Sequence, residues 1–186
     1  LESDREDVTR LRRGDTTGLA GLMSRHQDRL FRYLVRLVGD EAVAEDVFQQ
    51  AWMRAAERIG RYDPARPFGP WLFAVARNLA LDELRRRRPE SLDATRDEPA
   101  AAADAEVDPL AGLLARQRSA RVAEALAALA PLDREVIGLR FEAELALPEI
   151  ASTLDVPLPT AKARLYRALA RLRERLLARA AEEEWQ

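Results

Sequence analysis

Hydrophobic positions along this chain recur at helical spacing, and no stretch alternates as a strand would. Leu19, Leu22, Met23, His26, Leu30, Leu34 and Leu37 mark one face of an amphipathic helix that ends near Gly39. Asp40 suits the N-cap of the next helix. There Val43, Val47, Ala51, Ala55 and Ile59 form a stripe beside Phe48 and Trp52, and Gly60 closes it. Arg61 to Gly69 contains Pro64, Pro67 and Gly69 and reads as a loop. Pro70 suits the first turn of a third helix, running from about Trp71 to Arg88 with Leu72, Val75 and Leu79 on its apolar side, and Pro89 stops it.

The pattern then lapses. Residues 89–112 hold Pro89, Pro99 and Pro109, many alanines and few large apolar side chains, which predicts a flexible, solvated linker. Helical spacing resumes with Leu113, Leu114, Val122, Leu126 and Leu129. Pro131 opens a further helix with Val136, Ile137, Leu139 and Phe141. A short unit from Pro148 to Leu154, a turn from Asp155 to Pro159 and a long helix from Thr160 to about Ala180 complete the pattern. The fold class predicted is all-α: two helical domains, 1–88 and 113–180, joined by an acidic flexible linker, 89–112, and followed by an acidic tail, 181–186.

Composition narrows the function classes. The absence of Cys excludes disulfide scaffolds, zinc fingers and thiol chemistry, and a single His argues against a His-based metal site or a Ser-His-Asp triad. No apolar run approaches the roughly 20 residues a membrane helix needs. Leu1 to Asp15 is charged throughout and does not resemble a signal peptide, so a cytoplasmic location is expected. The net charge of −2 argues against a nucleic-acid binder until it is divided along the chain. Residues 1–88 carry 17 basic and 14 acidic side chains, 89–115 one and seven, 116–179 twelve and eight, and 180–186 three acids alone. Two mildly basic domains are thus masked by an acidic strap and tail.

Two segments carry candidate chemistry. From Ala146 to Arg167 the spacing is that of a helix-turn-helix: Ile150, Ala151 and Leu154 face inward, Val156 and Leu158 plug the turn, and Ala161 and Leu165 seat the second helix. Thr160, Lys162, Arg164 and Arg167 then lie on its outer side, within a segment, 156–179, of seven basic residues and one acid. Such a helix fits the major groove, although a solvated basic hairpin has the same pattern. The second segment has Arg77, Asn78, Arg85 and Arg86 on the third helix, with Arg61, Phe68 and Trp71 just upstream. Cations interleaved with rings suit phosphates and unstacked bases, and a solvated helix end with a core Trp71 is the plainer alternative.

Three motifs taken together resemble a bacterial sigma factor of the extracytoplasmic-function type. They are Ala44-Glu-Asp-Val-Phe-Gln-Gln-Ala-Trp-Met-Arg-Ala55, the stretch Phe68-Gly-Pro-Trp-Leu-Phe-Ala-Val-Ala-Arg-Asn-Leu-Ala-Leu-Asp-Glu-Leu-Arg-Arg-Arg-Arg88, and Leu129-Ala-Pro-Leu-Asp-Arg-Glu-Val-Ile-Gly-Leu-Arg-Phe141 with the helix-turn-helix after it. The resemblance implies an alternative sigma factor that binds core RNA polymerase through its β′ and β subunits, recognises −10 and −35 promoter DNA and helps melt the promoter. It implies that Glu45, Asp46, Gln49, Gln50 and Arg54 dock on a coiled coil of β′. The loop Arg61 to Gly69 and the start of the next helix would take a flipped base of the non-template strand. Arg61, Phe68, Trp71, Arg77, Asn78, Arg85 and Arg86 would serve the −10 element, and Thr160, Lys162, Arg164 and Arg167 the −35 element. The linker would run toward the RNA exit channel, its acids mimicking nucleic acid.

Such proteins often pair with an anti-sigma factor. No catalytic residue, metal, cofactor or membrane insertion is implied. The chain departs from the family pattern at Ala146, where a capping Ser is usual, at Asp155, where Gly is usual in the turn, and at Pro159, where Gly usually precedes the Thr. An ordinary helix-turn-helix regulator is the principal rival. An enzyme is a remote one, because Glu45 and Asp46 are adjacent on a helix and point about 100° apart.

Overall fold

The computed structural model describes residues 2–87 and 120–183, with side chains to residue 178. The expected linker, 89–112, lies outside the described residues. Helices α1 (Glu2–Arg12), α2 (Thr17–Val38), α3 (Glu41–Arg58) and α4 (Phe68–Arg87) form the first unit, with a 3-10 turn at Ile59–Arg61. In the second unit, α5 is described through 120–127. It is followed by α6 (Pro131–Phe141), α7 (Leu147–Leu154) and α8 (Leu158–Glu183). There is no strand among the described residues. The backbone of α8 continues past residue 180 into the segment read as a tail.

Several boundaries follow from local chemistry. Gly39 ends α2 at φ 80°, a left-handed conformation that Gly adopts without a Cβ penalty. Asp40 then caps α3 by accepting from the Val43 N–H at 3.0 Å. Helix α4 starts at Phe68 instead of Trp71, because Pro70 fits within a first turn whose N–H groups have no helical partner. Gly60 does not end α3 in a left-handed turn; the chain tightens through the 3-10 turn instead. The turn after α7 contains Asp155 at φ 51°, so the residue standing where Gly is usual takes the left-handed conformation itself. At Ala146 the cap is half built: Glu149 accepts from the Ala146 N–H at 2.8 Å, and alanine has no oxygen to return the bond.

Helix α1 was not expected from the spacing. It has only Val8 and Leu11 as large apolar residues, and it docks on α2 through charge. Arg25 donates to Asp4 at 2.8 Å and to Asp7 at 2.5 Å, and Asp4 pairs with His26 at 3.1 Å. The two helices touch closely because Gly18 and Gly21 lie beneath Asp7; a Cβ at either would collide with it.

The first core is built from Leu30, Tyr33, Leu34, Val47, Ala51, Leu72, Phe73 and Ala76, and the second from Val136, Leu139, Ile150, Leu154, Ala161 and Leu165. The two are continuous. Helix α6 lies on α2, and α7 on α4. Gly138 is what brings α6 close, since a Cβ there would meet the Tyr33 ring at 3.1 Å. The joint is also charged. Arg77 pairs with Glu135 at 2.5 Å, Arg36 with Glu142 at 3.0 Å, and Arg29 with Glu144 at 3.6 Å. The basic side of the first unit therefore faces an acidic side of the second.

Candidate nucleic-acid and polymerase interfaces

On α3, Val43, Ala44, Val47, Ala51, Trp52 and Ala55 are buried, which turns the opposite face outward. Glu45, Asp46, Gln49, Gln50 and Arg54 all lie on that exposed face. Arg54 is joined to Glu57 at 3.6 Å, a weak surface pair. Met53 sits among them at 65% exposure. An exposed, adaptable thioether inside a polar face is a common feature of a docking surface. The 3.6-residue spacing that buries Trp52 was the available signal for it.

Around the start of α4, Phe68, Tyr62 and Trp71 form a ring cluster. Tyr62 lies 5.6 Å from Phe68 and 5.0 Å from Trp71, and Phe68 lies 5.6 Å from Trp71. Phe68 is fully buried and supports the other two rings, while Trp71 remains half-buried at the surface. Burial raises the Tyr62 pKa, and its hydroxyl donates to the Arg66 carbonyl. Tyr62 had not been singled out from the sequence. Arg61 and residues 63–66 are exposed beside this cluster. Asp63 organises the loop as an Asx turn, accepting from the Ala65 N–H at 2.9 Å.

Further along α4 the candidates separate. Arg77 is turned into the joint between the units, where it meets Glu135, while Asn78 is exposed next to it. Glu135 is 1% exposed; burial pushes its pKa up, and the Arg77 hydrogen bond and charge oppose that. Arg85 is exposed and paired with Asp82 at 2.9 Å, and Arg86 is exposed and paired with Glu83. Asp82 is exposed, so a phosphate can displace it from Arg85 at little cost, whereas Glu83 is half-buried and shared between Arg86 and Arg87.

In the second unit, Ile150, Ala151, Leu154, Ala161 and Leu165 are buried as the helix-turn-helix spacing requires. One expectation needs correction: Leu158 does not plug the turn but begins α8 at 46% exposure. Phe141, at the end of α6, is 58% exposed. Lys162 and Arg167 are exposed on α8, and Thr160 and Arg164 are half-buried. Lys162 lies over the Tyr166 ring at 5.9 Å. The four side chains span the first turns of α8, the portion that meets base edges in a groove-binding helix.

Comparison with known proteins identifies the family. The family models for sigma-70 region 2 and sigma-70 region 4 match residues 22–90 and 125–174. The SigL sigma factor of Mycobacterium tuberculosis is 36% identical over 158 residues, 83% of this chain and 86% of its own. CarQ of Myxococcus xanthus is 32% identical over 169 residues, 91% of this chain and 95% of its own. Among solved structures, CnrH in complex with the cytosolic domain of CnrY superposes with a TM-score of 0.72 at 28% identity, covering 95% of this chain and 98% of CnrH. The chain belongs to the extracytoplasmic-function branch of the sigma-70 family, the promoter-recognising alternative sigma factors of bacterial RNA polymerase. That family consists of transcription initiation factors. No described helix is long and apolar enough to cross a membrane.

Proposed function

We propose that residues 1–88 bind core polymerase and read the −10 element, and that residues 113–180 read the −35 element. The ring cluster Tyr62, Phe68 and Trp71 under an exposed basic loop carries this reading. Trp71 offers the accessible ring, the buried Phe68 and Tyr62 back it, and Arg61 and Arg66 stand exposed beside it, the combination that suits a single-stranded base and its phosphates. Glu45, Asp46, Gln49, Gln50, Met53 and Arg54 dock on the β′ coiled coil. Arg61 and Trp71, supported by Phe68, take an extruded base; Asn78, Arg85 and Arg86 hold the strand or the upstream duplex. Thr160, Lys162, Arg164 and Arg167 enter the −35 groove. Arg77 joins the −10 contacts once α6 moves away from it.

No bond is made or broken by this chain. Opening is driven by binding: unstacking a base costs a few kcal/mol, and stacking on protein returns about 1–3 kcal/mol. Both units are only mildly basic, so the counterion-release term is small and the polymerase supplies most of the affinity. The protein works in the cytoplasm. A partner of the anti-sigma type covers these faces when transcription is off; in support, CnrH is seen bound to a second protein.

The test is run-off transcription. Purified chain is mixed with sigma-free core polymerase on a duplex library with randomised −35 and −10 windows. Promoter-dependent transcripts sharing two motifs are expected. Tight, polymerase-independent binding to a palindromic duplex, with no transcript, would sink the proposal.

A further inference from the structure

Helix α1 precedes the residues matched by the region 2 model, yet it touches the loop that leads into α4 at several points. Arg12 donates through Nε to the Ile59 carbonyl at 3.0 Å and through Nη2 to the Tyr62 carbonyl. A single planar guanidinium thereby clamps both sides of the 3-10 turn. Arg5, two helical turns earlier on the same face, donates to the Pro64 carbonyl at 3.1 Å. Three carbonyls of the segment 59–64 are thus held from α1. The contact continues under the rings: Asp4 holds His26, whose ring lies 5.5 Å from Phe68, the support for Tyr62 and Trp71. The loop's own contacts are short-range: the Asx turn, the Arg66 N–H to Asp63 carbonyl bond at 3.0 Å, and the Tyr62 hydroxyl donating to the Arg66 carbonyl.

A pocket that accepts one flipped base has to be held within about half an ångström, and a loop that must first be ordered loses affinity and selectivity. We propose that α1 is a positioning element for base selection: Arg5 and Arg12 hold the loop 61–67 in the conformation that accepts an extruded −10 base. They determine specificity without touching DNA. This rests on the reading of that loop as the −10 base site.

The test uses the full chain reconstituted with core polymerase. Holoenzymes carrying Arg12→Ala, Arg5→Ala, Arg12→Lys or the loop variant Arg61→Ala transcribe the duplex library with randomised windows, and the transcripts are sequenced. Thermal melts of each chain run alongside. Arg12→Ala is expected to flatten the base preference at one or two adjacent −10 positions about tenfold while −35 preferences persist. Arg5→Ala, at an exposed and milder site, is expected to do the same to a smaller degree. Arg12→Lys, which keeps a charged donor, is expected to recover part of the preference. If the α1 variants lower yield and melting temperature but leave every −10 preference intact while Arg61→Ala alters one, the proposal is overturned and α1 is a stabiliser. If Arg61→Ala also leaves them intact, the reading of the loop falls and the proposal with it.

Discussion

Arg77→Ala is the substitution with the most to say about this molecule, because it leaves Glu135 as a carboxylate at 1% exposure with its hydrogen-bonded cation removed and only the charge of Arg164 acting on it. The closed arrangement then has two ways out. Glu135 can take up a proton, which from an ordinary pKa of 4.5 costs about 3.4 kcal/mol at pH 7. Alternatively α6 can leave α2 and α4, returning the carboxylate to water. The shift toward the open form is therefore no more than about 300-fold at pH 7.

The sign of the pH dependence follows. A carboxyl with a raised pKa in the closed form favours closure below 4.5 and opposes it as pH rises, so the shift shrinks about tenfold per unit of acidification. The chain has no Cys, so Ala42→Cys and Arg175→Cys, both at exposed positions, accept a dye pair without interference. Energy transfer followed through a urea titration reads the opening midpoint even where water strongly favours closure. Arg77→Ala is expected to lower that midpoint at pH 7 and much less at pH 5. Arg77→Ala with Glu135→Leu, which removes both charges, is expected to restore it, as apolar replacement of a buried pair is often neutral. An opening midpoint in Arg77→Ala that matches the parent at both pH values would refute the reasoning.

Three further outcomes are expected. Burial would raise the Asp4 pKa, but hydrogen bonds and charge from His26 and Arg25 outweigh it and hold it at about 2, below 3.8. That lowering contributes about 2 kcal/mol above pH 4 and is lost as pH falls through 2, so Asp4→Asn should show its deficit in urea melts at pH 7 and progressively less in acid. Asp155→Gly should raise stability by about 0.5–1 kcal/mol, read as a higher melting temperature, because Gly takes φ 51° without the Cβ penalty. Met53→Ala should weaken core polymerase binding about fivefold in a competition assay while leaving the melting temperature unchanged, as expected for a side chain that packs only in the complex.

Legibility differed from element to element. Helices α2, α3 and α8 follow from apolar spacing and from Gly39, Asp40 and the turn at Asp155, although α8 begins at Leu158, two residues before the expected Thr160, because Pro159 fits its first turn. The outward face of α3 and the recognition helix α8 followed from the same periodicity. Helix α1 did not, since its buried face is Asp4, Asp7 and Val8, and charge that is satisfied across a helix pair is indistinguishable in sequence from charge in solvent. Leu158 and Phe141 fit an apolar register and are nonetheless exposed, because a helix has more hydrophobic positions than a short joint can cover.

By itself the sequence determined that this protein is all-helical, that a mildly basic unit stands on either side of an acidic segment, and that rings, cations and a helix-turn-helix occur in the order of a sigma factor. Those are properties of local spacing and of composition, and they survive whatever the units do to each other. Only the tertiary structure decided that α6 and α7 lie on α2 and α4, that Arg77 is turned onto Glu135, and that Arg5 and Arg12 reach the loop before α4. The partners in these contacts lie tens of residues apart in the chain. Whether a charged side chain faces water or another charge depends on which surfaces meet, and no periodicity records that.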